Sequence, residues 1–491
     1  MDWREEYKSK LVSAEDAVKV VKSGDRVVIP LPAQPRLLPH ALAARKDELR
    51  NVEIQASAPT QNPGWYSLGM EESFIPTIEL FIAGIARSSH DEKICTYLPD
   101  LFSLRFKGID ERRPESQDKQ VDVFMTVVSP PNRHGFVSLG ASLWHKRSYI
   151  KRAGCVIAEV DENQVWTYGT SAVHVSEIDY FVQHTPFQPT KEQIAEVVAG
   201  VPEEVRGLAE YMFSQVEPEY YSMLFEMVPI LDAAGVRRVH GMLTPEPDEA
   251  AHGIAENLKY VLKDGDTFNI GVGRPSRFMV ELGVFDGFHD MGIHTEMGAR
   301  GMGMLVKKGV ASGRRKTLHP EVAVFSTFMG CSTEDIEYMA ENPLFQQLDT
   351  EYVNNIPVVA RNENMVAINN GLQVDLTGQI CSETQFGPRM INGQGGQPEM
   401  HVGAMLAKGG RGVTLLPSMA VGGMSTIVGQ LEKGSLVTIP RQLADTVVTE
   451  HGVARLLDKN HRQRAEELIA VAHPDHRAEL RKEAQRLFWP G

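Results

Sequence analysis

The chain has 491 residues, 42% apolar and 23% charged, a globular composition too long for one ordinary core, so two or three domains are expected. A formal net charge of -14 argues against non-specific nucleic-acid binding and against docking on anionic lipid. Any polyanionic ligand must be held by local basic groups or backbone N–H groups, because the net field opposes it.

The N-terminus, MDWREEYKSK, is charged and lacks the apolar stretch of a secretory signal. No apolar run approaches the roughly 20 residues of a membrane span. Cys95, Cys155, Cys331 and Cys381 lie far apart with no C-x-x-C pair. That speaks against a zinc site or a disulfide framework and for a reducing compartment. The expectation is a soluble, cytoplasmic protein with no metal, nucleic-acid or membrane partner.

Strand-like runs then follow in chain order: DRVVIPL, NVEIQAS, IELFIAG, VDVFMTVVS, GCVIAEV, DTFNIGVG, EVAVFS, PVVARN, VTLLPS and SLVTIP. Helix-period segments such as LLPHALAARKDEL and GIAENLKYVLKDG separate many of them. This alternation predicts an α/β protein with mainly parallel, covered strands. An internal echo goes further. VVKSGDRVVIPLPAQPRLLPHAL (20–42) resembles YVLKDGDTFNIGVGRPSRFMVEL (260–282), each reading helix end, Gly-Asp turn, strand, Pro/Gly-rich loop and new helix. Either the chain holds two related α/β halves joined by a helical segment over 213–235, or a common βα turn recurs by chance. The charged C-terminus is expected to form a helix pair interrupted at Pro474, with a solvated face.

Five stretches could bear chemistry. SPPNRHGFVSLG (129–140) and HVSEIDYFVQ (174–183) are dense in Gly, His and acids, which by itself indicates a loop over a site and structural histidines. NIGVGRPSRF (269–278) follows a strand and opens a helix, where backbone N–H groups can meet an anion. It lacks the third glycine of a dinucleotide fingerprint, which disfavours a nicotinamide dehydrogenase, and a plain tight turn is the competing reading. MINGQGGQPEM (390–400) can converge consecutive N–H groups on an oxyanion, or can be a surface loop. In GIHTEMGARG (292–301), His294 and Glu296 share one face of an apparent strand. A metal-binding H-x-E would need a P-C-x-x-C partner that this sequence lacks. Glu296 is then either a buried, salt-bridged acid or a nucleophilic carboxylate.

Taken in order, SPPNRHGFVSLG, HVSEIDYFV, IGVGRPS, MGIHTEM, INNGLQVDLTGQICSE, NGQGGQ, AKGGRGVTLLPS, VVTEHGVARL and IAVAHPDHRAEL carry a resemblance over most of the chain. The sequence resembles the class I CoA-transferases of the acetyl-CoA hydrolase/transferase type, and within them the 4-hydroxybutyrate and butyryl-CoA:acetate CoA-transferases. The resemblance implies two related open α/β domains of the NagB/RpiA/CoA-transferase type, here 1–212 and 236–491, the second carrying the nucleophile. It implies that Glu296 attacks an acyl-CoA thioester, giving an acyl-glutamyl anhydride and then a glutamyl-CoA thioester that a second carboxylate resolves. Gly395 and Gly396 would form the oxyanion hole. Gly271, Val272, Gly273, Arg274 and Pro275 match the CoA-binding turn, and Gly371 and Lys408 match positions lining the CoA site. No permanently bound cofactor is implied, only coenzyme A or acyl-CoA as substrate, with a small carboxylate as the other. A homo-oligomer, a dimer in the first instance, is implied as well.

The alternatives on the same scaffold are an acyl-CoA hydrolase and a non-catalytic sensor of CoA ligands. The chain also departs from the family pattern. Arg300-Gly301 stands where an acidic residue and glycine are common, and Pro398-Glu399 stands where an apolar-Asp pair is usual. The loop PLPAQPRLLPHAL lacks the usual G-x-G-x-P form. These departures leave the acyl group open. Arg300 reads either as a partner for a substrate carboxylate or, the favoured reading, as half of a surface ion pair.

Overall fold

The computed structural model describes residues 2–30, 34–59, 61–79, 85–116, 120–184, 189–215, 224–225, 228–243 and 246–490. Part of the expected 213–235 connector and part of the loop after β1 therefore lie outside the described residues. The strands are β1 (Arg26–Ile29), β2 (Val52–Ala56), β3 (Phe74–Glu79), β4 (Thr96–Leu98), β5 (Val123–Val128), β6 (Phe136–Ser138), β7 (Cys155–Val160), β8 (Ala172–His174) and β9 (Tyr180–Gln183) in the first half. The second half adds β10 (Thr267–Ile270), β11 (Gly292–Met297), β12 (Ala323–Thr327), β13 (Phe345–Gln347), β14 (Met365–Asn370), β15 (Gln373–Asp375), β16 (Ile380–Cys381), β17 (Arg411–Leu415), β18 (Ile427–Val428), β19 (Thr446–Thr449) and β20 (Gly452–Arg455).

Two sheets dominate. One runs β4-β3-β2-β1-β5-β7-β9 and the other β13-β12-β11-β10-β14-β17-β19-β20. Pairings are parallel from β4 to β7 and from β13 to β19, and the β19/β20 edge is antiparallel. Strands such as β1, β5, β10 and β12 are buried at every position, as a parallel sheet covered on both faces requires. This is the α/β architecture that the alternating pattern predicts.

The two halves are built alike. In each sheet the first strand is central, the next three lie on one side, and the later strands of that sheet on the other. The Gly-Asp turns before β1 and β10 match atom for atom. Gly24 and Gly265 sit at φ 86° and 78°, where a side chain is strained. Asp25 and Asp266 accept the N–H of Lys22 and Lys263 at 2.8 and 2.9 Å. Gly24 and Gly265 donate to Arg50 O and His289 O, both at 2.9 Å.

Two predicted strands take other forms. PVVARN falls in the helix Ile356–Ala360, because Pro357 suits a first helical turn, and the neighbouring strand is MVAINN, β14. SLVTIP makes a single bridge, Ile380 to Ile439, and does not extend a ladder. The C-terminal pair appears as His461–Val471 and Arg477–Phe488, broken at Pro474–His476.

By compactness the chain divides into a unit of residues 1–182 with 249–491, holding both sheets, and a small unit, 183–248. The small unit packs Lys191–Ala199, Arg206–Gln215 and Ala233–Leu243 around Val198, Val205, Met212, Leu224 and Val236. Within the large unit the halves are stitched by buried polar contacts. Leu143 N donates to Gln347 Oε1 at 3.0 Å, Trp144 N to Ser326 O at 3.1 Å, and Ser148 N to Asp349 Oδ2 at 3.0 Å.

Candidate active site

In open parallel sheets, ligands meet the carboxyl ends of strands where strand order reverses. In the second sheet that point lies between β10 and β14, and the glycine turn 271–275 leaves β10 there while Gly371 follows β14. Asn370 locks the turn: its Oδ1 accepts Ser276 N at 3.0 Å, and its Nδ2 donates to Ser276 Oγ at 2.7 Å. Gly273 packs so closely on Asn370 that a side chain there would strike the amide. Val272 rests against a small apolar cluster of Phe102, Trp144 and Met297.

Glu296 stands one strand over, on β11, one residue before its end. It is only 8% exposed, on a strand buried throughout. Asn354 Nδ2 donates to its Oε2 at 2.6 Å, and its own N–H reaches Asn269 Oδ1 at 3.3 Å. No cation is paired with it among the described residues. Burial pushes its carboxyl up to about 8; the Asn354 hydrogen bond opposes that shift and the nearby Glu399 carboxylate adds to it. The salt-bridged reading of Glu296 thus fails for want of a partner, and a desolvated, singly hydrogen-bonded carboxylate is what remains.

Gly396 explains the glycine run. A Cβ added there would overlap the Glu296 carboxylate and the Asn354 amide, so only glycine lets this backbone approach. It is the N-cap of the helix Gln397–Leu406, whose N-terminal end favours negative charge beside it. Gly395, at φ 54°, turns the chain into that helix. Three positions on, Glu399 is fully buried and accepts Phe102 N at 3.1 Å, Ser103 N at 2.8 Å and Ser103 Oγ at 2.6 Å. Burial pushes it up to about 7, and Asn354 also hydrogen-bonds it. Asn354 thus bonds Glu296 and also acts on the second buried carboxyl, Glu399.

The structure brings Glu296, Gly395, Gly396, the 271–275 turn and Gly371 to one edge of the second sheet. It does not bring Lys408 there. Lys408 precedes β17 and its carbonyl accepts Asn364 N, at the opposite ends of the strands, about 20 Å away by strand rise. Its side chain is 82% exposed and its ammonium is 3.3 Å from Glu363, so a place beside the CoA turn does not follow from its position. His294 is spent elsewhere too: its Nε2 bonds Val353 O at 2.9 Å, and burial drops its pKa to about 3. The 129–140 stretch turns into β6, paired with β8, and carries the chain on to Ser142, which bridges Thr327 beside the pocket. Arg300 lies 3.6 Å from Glu281, both about half exposed, which fits the surface-pair reading.

Sequence reasoning missed Asn354, Asn269, Asn370 and Phe102, and noted Glu399 only as a departure. Nothing local marks them. EYVNNIP reads as a turn, and only the fold turns its first asparagine toward a carboxylate 58 residues away.

Two parallel α/β sheets, with a buried carboxylate one strand from the strand-order reversal of the second, define an α/β enzyme framework. The chain belongs to the acetyl-CoA hydrolase/transferase family: the model of its N-terminal domain matches residues 1–190 and that of its C-terminal domain residues 332–484. It is 33% identical to 4-hydroxybutyrate coenzyme A transferase of Clostridium kluyveri, over 99% of this chain and 100% of that protein. It is 29% identical to butyryl-CoA:acetate CoA-transferase of Anaerostipes caccae, over 99% and 98%. The solved structure of RipA from Yersinia pestis superposes with a TM-score of 0.79, at 26% identity and 99% coverage of both chains.

Proposed function

We propose that this enzyme moves CoA between an acyl-CoA and a small free carboxylate of the acetate, butyrate or 4-hydroxybutyrate class, by ping-pong chemistry through Glu296. The supporting observation is the buried Glu296 carboxylate, held by Asn354 and faced by Gly396 at the edge where the 271–275 turn also ends. An ionised Glu296 Oε attacks the thioester carbon and the C–S bond breaks, leaving an acyl-glutamyl anhydride and CoA thiolate. The thiolate attacks the glutamyl carbonyl and expels the first carboxylate, leaving a glutamyl-CoA thioester. The incoming carboxylate reverses both steps. No proton or water is consumed, and the burial that excludes water protects the anhydride.

Each addition passes through an oxyanion. The Asn354 amide, hydrogen-bonded to Glu296, and the N–H groups of Gly395 and Gly396 are the proposed donors, and one such donor is worth ~3–4 kcal/mol. The 271–275 turn and Gly371 are proposed to cradle the CoA. A cytoplasmic setting and a homodimer belong to the same proposal; among the described residues no helix is long and apolar enough to cross a membrane.

The test is acyl-CoA consumption with and without acetate, followed by hydroxylamine or borohydride treatment and peptide mass analysis. Transfer predicts exchange that depends on acetate and a modification confined to the Glu296 peptide. Release of free CoA at equal rates in both arms would make the enzyme a hydrolase. An unmodified Glu296 peptide would remove the covalent route.

A further inference from the structure

Lys408 leaves the question of which cations receive a polyanionic substrate in a chain of net charge -14. We propose that Arg274, Arg277 and Arg300 form one anion site that takes the phosphate end of the CoA substrate, an inference that rests on the transfer reading above. Arg274 is part of the glycine turn, and Arg277 follows three residues later in the short helical turn Ser276–Phe278. Their guanidiniums stand 5.9 and 5.7 Å from the centre of the same Phe278 ring. Arg300 comes from the segment after β11, beside the Glu281 that it pairs with. Arg277 is half-buried between them. Burial first, and then the two cations Arg274 and Arg300, hold its basicity down, against one carboxylate, Glu281.

A guanidinium placed among like charges costs free energy that an arriving oxyanion relieves. The planar, forked donor set suits phosphate in particular. Position selects the phosphate end over the acyl end. Reaction takes place at Glu296, which is buried, with Val272 and Met297 of the turn and strand packed on Phe102 and Trp144. Arg274 and Arg300 are exposed to solvent, unlike that cluster. A substrate whose thioester lies against Glu296 and whose chain crosses the turn puts its nucleotide phosphates where the arginines are. Arg300 is the residue by which this chain departs from the acidic residue common at that place in the family it resembles, so it adds a charge to the site.

The experiment compares butyryl-CoA with butyryl-pantetheine, which has no nucleotide, in acetate-dependent exchange by the wild type, Arg277→Gln and Arg300→Gln. The expected result is a KM for butyryl-CoA raised about tenfold in each variant, the effect of losing one charge-assisted contact, and a wild-type-to-variant ratio near one for butyryl-pantetheine. Arg300 is exposed enough that its variant is expected to fold even if Arg277→Gln does not. An unchanged KM for Arg300→Gln overturns the site, as does an equal rise with both donors. With succinyl-CoA as a third donor, a rise confined to it would assign the arginines to an acyl carboxylate and also overturns the site. If the wild type shows no exchange with any donor, the transfer reading fails instead. Calorimetric binding of CoA against pantetheine to the same variants then still decides the arginine site, tenfold weaker CoA binding supporting it and equal binding overturning it.

Discussion

Glu296 is expensive to keep ionised. Its carboxyl, pushed up to about 8, holds its proton at neutral pH in the free enzyme, whereas the attacking species is the carboxylate. Acetate-dependent kcat/KM should therefore rise with pH and level off above about 8. Glu399 contributes to that shift, so Glu399→Gln should move the rise to lower pH, a direction that a purely structural loss does not produce. Glu296→Gln should lower exchange by more than ~10³-fold and abolish the labelled peptide. A profile that is flat from pH 6 to 9 would contradict the assignment of the nucleophile.

At the scale of elements, β11 does two jobs with residues two apart. Glu296 reaches into the pocket, and His294 anchors the carbonyl of Val353, the last residue of the helix Thr350–Val353. Asn354 follows directly, so the strand that carries the carboxylate also holds its hydrogen-bond donor in place. His294→Leu should lower kcat about tenfold with a smaller change in KM, and should cost about 1–3 kcal/mol in denaturant unfolding through the orphaned carbonyl. An unchanged kcat would show that Asn354 is held without His294. The first half has a comparable device. Glu159 on β7 accepts the N–H groups of Arg36, Leu37 and Leu38 at 2.7–2.9 Å, at the start of the helix Leu37–Ala43. Three charge-assisted bonds to orphan helix donors make Glu159→Leu a change of about 2–4 kcal/mol by the same measurement.

Over the whole molecule, burial sets the direction of pH dependence. Glu159, Glu296, Asp349 and Glu399 all have carboxyls raised to about 7–8 by desolvation. Each binds its proton more tightly folded than unfolded, so its contribution is complete below the unfolded value near pH 4 and is lost as pH rises through the folded value. Lys316, lowered to about 7 by burial, acts oppositely from there to about 10, where of the four carboxyls only Glu296 is still titrating, up to about 8. His145 and His294, neutral down to about 3, oppose the carboxyls only below about pH 6.5, where unfolded histidine is charged. The apparent melting temperature should thus fall as pH rises from about 5 to 7 and level off by about pH 8. Glu296→Gln should melt several degrees higher than the wild type at pH 8.5 and alike at pH 5. A melting temperature that climbs steadily from pH 6 to 9 would show these carboxyls to be solvated.

Much of this was legible in the chain. Alternating apolar runs foretold parallel sheets, because strands covered on both faces cannot tolerate polar interruption. The paired Gly-Asp turns foretold two like-built halves, because a φ of about 80° restricts the residue locally. The charge at Glu296 and the glycines at 395 and 396 stood out because their cost or their conformation is written in residue type. PVVARN and SLVTIP misled for the complementary reason: short β-branched runs carry no record of whether a ladder partner exists. What only the tertiary structure decided is proximity. Asn354 and Glu399 meet Glu296, Lys408 stands at the far ends of the strands, and three arginines gather by the glycine turn, because distances between segments far apart in sequence are set by packing and not by local pattern.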